Sequence, residues 1–113
     1  MIGREIHFGR ENLKKYNKAI RDKIPQIIKD SGNICNAIPL SDEKFLVELE
    51  KKLIEELTEY QESKDVEELA DILEVIHRIS ELKGVNLDKI RLDKLEKRGG
   101  FKKNLFLIDS SNF

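Results

Sequence analysis

Apolar residues recur at helical spacing through the middle of the chain. At about 100° per residue, six of them share one arc of roughly 120°: Phe45, Leu46, Leu49, Leu53, Leu57 and Tyr60. This pattern predicts an amphipathic helix that begins after Ser41, a favourable N-cap, and ends near Glu62. A second long helix is predicted from about Asp65 to about Lys83, where Gly84 ends it. Its apolar residues span roughly 240°, an arc wide enough to contact another subunit as well.

Shorter elements flank these two helices. Pro25 suits the first turn of a helix that ends near Asp30. Asn86 is a suitable cap for a third long helix, which runs from Leu87 to about Arg98 and ends at Gly99-Gly100.

The C-terminal part of the chain is also expected to contribute to the core. The third long helix directs Leu87, Ile90 and Leu95 inward. The segment from Leu105 to Ile108 is uniformly apolar, and it is predicted to be extended and at least partly buried.

Together these elements predict an all-α fold. We expect a helical bundle built round an antiparallel helix hairpin and completed by oligomerisation. No internal repeat or low-complexity segment marks a boundary, so residues 1–113 are expected to form a single domain. Residues 1–15 and 109–113 are expected to be peripheral.

Two acidic pairs lie at mirrored positions on either side of the predicted connection near Ser63. Glu56 and Glu59 precede it, and Glu68 and Asp71 follow it. In an antiparallel hairpin the four carboxylates form two rungs roughly 4.5 Å apart along the helices. Glu56 and Glu68 also project into the apolar arcs, where a carboxylate is costly unless it is paired or bound to metal. An all-carboxylate set without histidine favours Mg²⁺ or Mn²⁺ over zinc.

Two structural explanations compete with a metal site. In a chain with 38% charged residues, acids spaced three residues apart usually mark a solvated helix face. Glu68 is also placed to close a capping box begun by Asp65, which needs no metal. The sequence alone leaves both alternatives open.

Composition narrows the classes of function. Hydrophobic residues make up 39% of the 113 positions, enough for one modest core. Lys and Arg total 21 against 22 Asp and Glu, so the net charge of the chain is close to zero. The overall charge therefore does not indicate a nucleic-acid or membrane partner. The single cysteine, Cys35, excludes an intrachain disulfide and fits a reducing compartment. No apolar run approaches the roughly 18 residues of a membrane span, and we expect a cytoplasmic protein.

Basic residues gather round Gly99-Gly100, and they are Lys94, Lys97, Arg98, Lys102 and Lys103. Glycine lets backbone N–H groups approach a phosphate while the side chains neutralise its charge. The competing explanation is a basic helix C-terminus that suits the helix dipole. Arg21 and Lys23 have the same standing as candidates for contact with phosphate. His77 lies at the margin of an apolar arc and is best explained by packing.

The acidic pairs and their flanks resemble a known family. The runs Leu-Ile-Glu-Glu-Leu-Thr-Glu from Leu53 and Glu-Leu-Ala-Asp-Ile-Leu-Glu from Glu68 look like the signature of the MazG-like nucleoside triphosphate pyrophosphohydrolases, an all-α superfamily. The flanks, residues 16–25 and 97–101, resemble its small phosphoribosyl-ATP pyrophosphohydrolase-like subgroup. The similarity covers roughly residues 16–106. Only eight residues separate the acidic pairs, fewer than in many relatives, which leaves the choice of substrate open.

The resemblance implies hydrolysis between the α- and β-phosphates of a nucleoside triphosphate, giving a nucleoside monophosphate and pyrophosphate. It implies that one or more Mg²⁺ ions, or Mn²⁺, are held by Glu56, Glu59, Glu68 and Asp71. The residues expected on the triphosphate are Arg21, Lys23, Lys94 and Arg98. Glu55 is a candidate for orienting the attacking water, so the catalytic residues are expected to be Glu55 and Glu56.

Other functions remain open. For a pyrophosphohydrolase, the substrate is expected to be either a nucleoside triphosphate, in house-cleaning of the nucleotide pool, or phosphoribosyl-ATP, in histidine biosynthesis. The enzyme is expected to be a homo-oligomer, either a dimer or a tetramer. A non-catalytic helical interaction module with solvated acids is the main alternative. A nucleic-acid binder using the Lys94 to Lys103 cluster is disfavoured, because the adjacent acids would repel phosphate unless they were loaded with metal.

Overall fold

The computed structural model describes residues 13–111, and within them it is all-helical. Four helices follow one another along the chain: α1 (Ile24–Asp30), α2 (Asp42–Ser63), α3 (Val66–Leu82) and α4 (Leu87–Arg98). The described part of the chain contains no strand. The all-α prediction is therefore confirmed, and the predicted helix bounds agree with the observed ones to within a residue or two.

The two long helices begin and end at the residues that the sequence marks for this purpose. The Ser41 hydroxyl accepts a hydrogen bond from the backbone N–H of Lys44, which satisfies one free donor of the first turn of α2. At the other end Lys64 adopts a left-handed conformation with φ of 59°, which terminates the helix. The Asp65 carboxylate then accepts from the Glu67 N–H at 3.0 Å and starts α3. Only two residues therefore join α2 to α3.

Packing between α2 and α3, here called the helix pair, is the only extensive helix–helix contact in residues 13–111. Its buried apolar centre consists of Leu49 from α2, Val75 from α3 and Ala19 from the chain before α1. Partly buried side chains pack round that centre: Phe45, Leu53, Ile79 and Leu82. Ala19 fixes residues 16–23, here called the basic segment, against the helix pair.

The chain after Gly84 is packed quite differently. We call residues 85–111 the C-terminal arm. No residue of α4 is buried, and the side chains expected to face inward, Leu87, Ile90 and Leu95, are 39–46% exposed. The expectation that Leu105 to Ile108 would be partly buried is wrong, because these side chains are 64–88% exposed.

The dimensions of the chain follow from this unequal packing. Its radius of gyration is 20.5 Å and its principal extents are 75, 31 and 25 Å. A compact domain of about this length has a radius of gyration near 13 Å. The molecule is therefore elongated, and its small core lies at the helix pair.

No helix among residues 13–111 is long and apolar enough to cross a membrane. Of the segments expected to be peripheral, residues 1–12 and 112–113 lie outside the described part of the chain.

Candidate metal centre between α2 and α3

Five acidic side chains converge where the helix pair nears its connection. Carboxylate oxygens of Glu56, Glu68 and Asp71 lie within 4.8 Å of one another, and so do those of Glu55, Glu56 and Glu59. Glu56 belongs to both groups and joins them into a single acidic cluster. The structure therefore brings together all four residues predicted as metal ligands, together with Glu55.

Two carboxylate oxygens of the cluster lack the partners that burial demands. Glu56 is only 5% exposed, although it is an ionisable residue. Its Oε2 atom and the Oε2 atom of Glu68 are shielded from solvent and accept no hydrogen bond. A buried acceptor without a partner is costly, and more so when it carries charge. Both atoms are therefore positioned to bind a cation.

The cluster also changes the acidity of Glu68. Burial of its carboxyl group is the main cause that raises the pKa of Glu68 from 4.5 to about 7, followed by the negative charge of Glu59. The negative charge of Glu56 acts in the same direction. The carboxyl group of Glu68 therefore keeps its proton to a higher pH than an ordinary glutamate does.

Three basic side chains partly neutralise the cluster. Lys18 donates to Glu55 at 2.8 Å, and Arg21 donates to Asp71 at 2.7 Å, so the basic segment contacts both helices of the pair. The hydrogen bond between Lys18 and Glu55 is the main cause that raises the pKa of Lys18 and lowers the pKa of Glu55.

Lys52 is the third of these cations and lies on α2 itself. Its ammonium group is 3.2 Å from Glu56 and 3.4 Å from Glu55. Sequence reasoning missed Lys52, although its position four residues before Glu56 is a typical spacing for a helical ion pair. Lys18 was missed as well, and no local pattern could have found it, because 37 residues separate it from Glu55.

The residues predicted to bind triphosphate are not gathered in one place. Arg21 lies at the cluster, where it pairs with Asp71. Lys23 is the residue before α1 and is exposed. Lys94 and Arg98 lie on α4, and within the described residues no hydrogen bond or ion pair joins them to the cluster.

The hydrogen bonds exclude the capping-box explanation for Glu68. The backbone N–H of Asp65, which a capping box would direct to Glu68, donates instead to the Ser63 hydroxyl at 3.1 Å. Asp65 caps α3 through its own carboxylate. Glu68 is therefore left to the acidic cluster.

The donor set fits a hard divalent cation. It is composed entirely of carboxylate oxygens, which suits Mg²⁺ or Mn²⁺ better than zinc. His77 takes no part, since it is exposed and lies 3.7 Å from Glu81. Cys35 is free and half-buried, away from these residues in the sequence.

Comparison of the chain with protein-family models, with curated proteins and with solved structures finds no match.

Proposed function

We propose that the chain is a Mg²⁺-dependent nucleoside triphosphate pyrophosphohydrolase of the MazG-like type, cleaving between the α- and β-phosphates. The observation that carries the proposal is the acidic cluster with its two buried, unpartnered carboxylate oxygens. Solvated acids on a helix face would not leave such atoms. The resemblance of the acidic motifs to that superfamily supplies the reaction.

The metal would be held by Glu56, Glu59, Glu68 and Asp71, with Mn²⁺ able to replace Mg²⁺. A bound divalent ion would neutralise phosphate charge and acidify water in such a site. Glu68 must release its proton before it can act as a ligand, because a protonated carboxyl group binds metal poorly.

The remaining roles belong to residues at the edge of the cluster. Glu55, kept ionised by Lys18 and Lys52, orients the attacking water through its carboxylate. Arg21 lies beside the cluster, where its guanidinium group can transfer from Asp71 to a phosphate oxygen. Lys23, two residues further on, is assigned to the outer phosphates with Lys94 and Arg98.

The proposal includes the assembly and the setting of the enzyme. The helix pair acts as an antiparallel hairpin at the centre of a bundle that is completed by a second copy, as a dimer or tetramer. The substrate is a nucleoside triphosphate, and the work is house-cleaning of the nucleotide pool in the cytoplasm. Phosphoribosyl-ATP is the alternative substrate.

The test is pyrophosphate release from a panel of canonical, deoxy and modified nucleoside triphosphates and phosphoribosyl-ATP, with Mg²⁺ and with Mn²⁺. Glu56→Gln should lower turnover about 100-fold or more, since even groups that only support metal ligands are worth 10–100-fold. Glu62→Gln is the matched control, because Glu62 is an exposed acid of the same helix outside the cluster. Folded protein that turns over none of the panel contradicts the proposal.

A second function, a non-catalytic interaction module, is favoured by one observation. Lys18, Arg21 and Lys52 pair with Glu55, Asp71 and Glu56, so three of the five acids already have a cationic partner on the same chain. Thermal melting with and without Mg²⁺ separates the two functions, because only a ligand bound to the folded state raises the melting temperature. A metal centre predicts an increase that Glu56→Gln removes and Glu62→Gln keeps, whereas a module predicts no increase in any of the three proteins.

A further inference from the structure

The last apolar residues of the C-terminal arm are largely exposed, from 64% for Leu107 to 88% for Phe106. Leu105 is 86% exposed, Phe106 88% and Ile108 86%, and they follow Phe101 at 97%. We call residues 105–108 the apolar tail. Four consecutive large apolar residues in water indicate a surface that is covered in the assembled protein.

A groove of suitable character lies on the same chain, between α3 and α4. It has a volume of about 710 Å³ and opens to solvent. Its apolar walls are formed by Leu73, Ile76, Val85 and Leu87. Leu73 is 67% exposed because it lies on the face of α3 opposite the helix pair's core. Every copy of the chain thus carries both an apolar tail and an apolar groove.

The exposed area of the chain leaves room for a large interface. The chain exposes 10781 Å², whereas a compact monomer of 13.2 kDa exposes about 6,400 Å². The excess is on the order of 4,000 Å², several times the roughly 800 Å² that each partner contributes to a standard stable interface.

Charge complementarity indicates that the partner is a second copy of this chain. Residues 87–108 contain seven Lys and Arg against three Asp and Glu, whereas residues 42–82 contain fourteen Asp and Glu against five Lys and Arg. Lys102 and Lys103 directly precede the tail, and the groove is lined by three acids, Glu74, Glu81 and Asp88, and by one Arg, Arg91. A basic arm of one copy is therefore attracted to the acidic helix pair of another.

We propose that two copies assemble reciprocally, with the apolar tail of each copy lying in the α3–α4 groove of the other. Because the contact is reciprocal, a twofold axis closes it at two copies and leaves no free tail. This contact would bury Phe106 of one copy against Leu73 of the other. The assignment does not depend on the proposed hydrolysis, since it uses none of the residues of the acidic cluster.

Cross-linking between two different chains tests the contact directly. In a Cys35→Ser background, one chain carries Leu73→Cys and the other Phe106→Cys, and the two are mixed, allowed to exchange and treated with a short bis-maleimide. We expect a heterodimeric product whose linked peptides contain positions 73 and 106. Ile54→Cys replaces Leu73→Cys in the control mixture, because Ile54 is equally exposed, at 67%, but lies on α2 outside the groove. Equal yields in the two mixtures overturn the proposal.

Mass in solution provides the second test. Sedimentation equilibrium should give a dimer for the unmodified chain and for Ile54→Glu, and monomers for Leu73→Glu and for Phe106→Glu. All three substituted residues are exposed within the single chain, so its helix content by circular dichroism should remain unchanged. A monomeric unmodified chain overturns the proposal. A dimeric Phe106→Glu chain does so too, because the contact would then not need the tail.

Discussion

The helix pair and the C-terminal arm both contain well-capped helices with apolar residues at helical spacing, but only the helix pair has a buried core. Leu49 of α2 is 5% exposed, whereas Leu92 of α4 is 47% exposed. Both residues lie on helices with good N-caps and a helical repeat of apolar residues. The difference is that α2 packs along α3, which begins two residues after it ends, while α4 packs extensively against no helix of the described chain. The spacing of apolar residues therefore identifies which face of a helix is suited to burial. It does not identify the element or molecule against which that face packs.

The largest expected contrast is between core truncations in the two regions. Leu49→Ala removes packing from a centre of only three buried apolar side chains and should cost about 2–3 kcal/mol of unfolding free energy. Leu92→Ala should cost less than about 0.5 kcal/mol, since half of its side chain is in water already. Urea unfolding followed by circular dichroism measures both. Equal losses would mean that α4 is packed as fully as α2.

A pH series separates the acidic cluster from the rest of the molecule. The pKa of Glu68 is raised to about 7, so the folded chain holds this proton more tightly than the unfolded chain. Its contribution to stability is complete below about pH 4.5 and is lost as the pH rises through about 7. Without metal, the melting temperature of the unmodified chain should therefore fall relative to Glu68→Gln between about pH 5 and about pH 8. Glu62→Gln, at an exposed acid of α2 outside the cluster, should run parallel to the unmodified chain.

Helix caps should report the same contrast at a smaller scale. Ser41→Ala deprives α2 of its hydrogen bond to the Lys44 N–H and should cost about 1 kcal/mol in global unfolding. Asn86 caps α4 in the same way, through the Lys89 N–H. Because α4 lacks tertiary packing, Asn86→Ala should appear instead as faster amide hydrogen exchange in residues 87–98. A global loss of similar size for both variants would show that the arm unfolds together with the helix pair.

The smallest effects are expected from exposed ion pairs. Arg21→Met breaks a pair that joins the basic segment to α3, and it should cost about 0.5–1 kcal/mol because the partners are half exposed. Arg91→Met breaks a local pair with Asp88 on α4 and should cost less than about 0.5 kcal/mol. Chemical denaturation at low and high salt measures both losses, and the Arg21 effect should shrink with salt. A larger loss of unfolding free energy for Arg91→Met than for Arg21→Met would contradict the stronger packing of the helix pair.

Much of the fold was predictable because its determinants are local. Ser41, Asp65 and Asn86 are N-caps in the structure, as their side chains and positions indicate. The grouping of Glu56 with Glu68 was predictable from helical geometry together with a short connection. These inferences need only the rise and rotation of an α-helix.

What could not be predicted depends on contacts between distant parts of the chain. The pairing of Lys18 with Glu55 and of Arg21 with Asp71 requires the basic segment to cross the helix pair, which Ala19 allows by its small size. The exposure of Phe106 was not predicted, because an apolar segment was assumed to be buried against other residues of the same chain. The polarity of a side chain does not indicate whether it packs against its own chain or against another molecule.

The two-residue connection between α2 and α3 has a consequence for how the chain tolerates insertions and deletions. One residue added to α2 after Glu59 would rotate everything beyond it by about 100° and advance it by about 1.5 Å. Glu68 and Asp71 would then face away from Glu56, while both helices could still form. Changes of length should thus be tolerated in the stretch between α1 and α2, whereas a one-residue insertion in the last turn of α2 should separate the acidic side chains of the cluster without unfolding the helices that carry them.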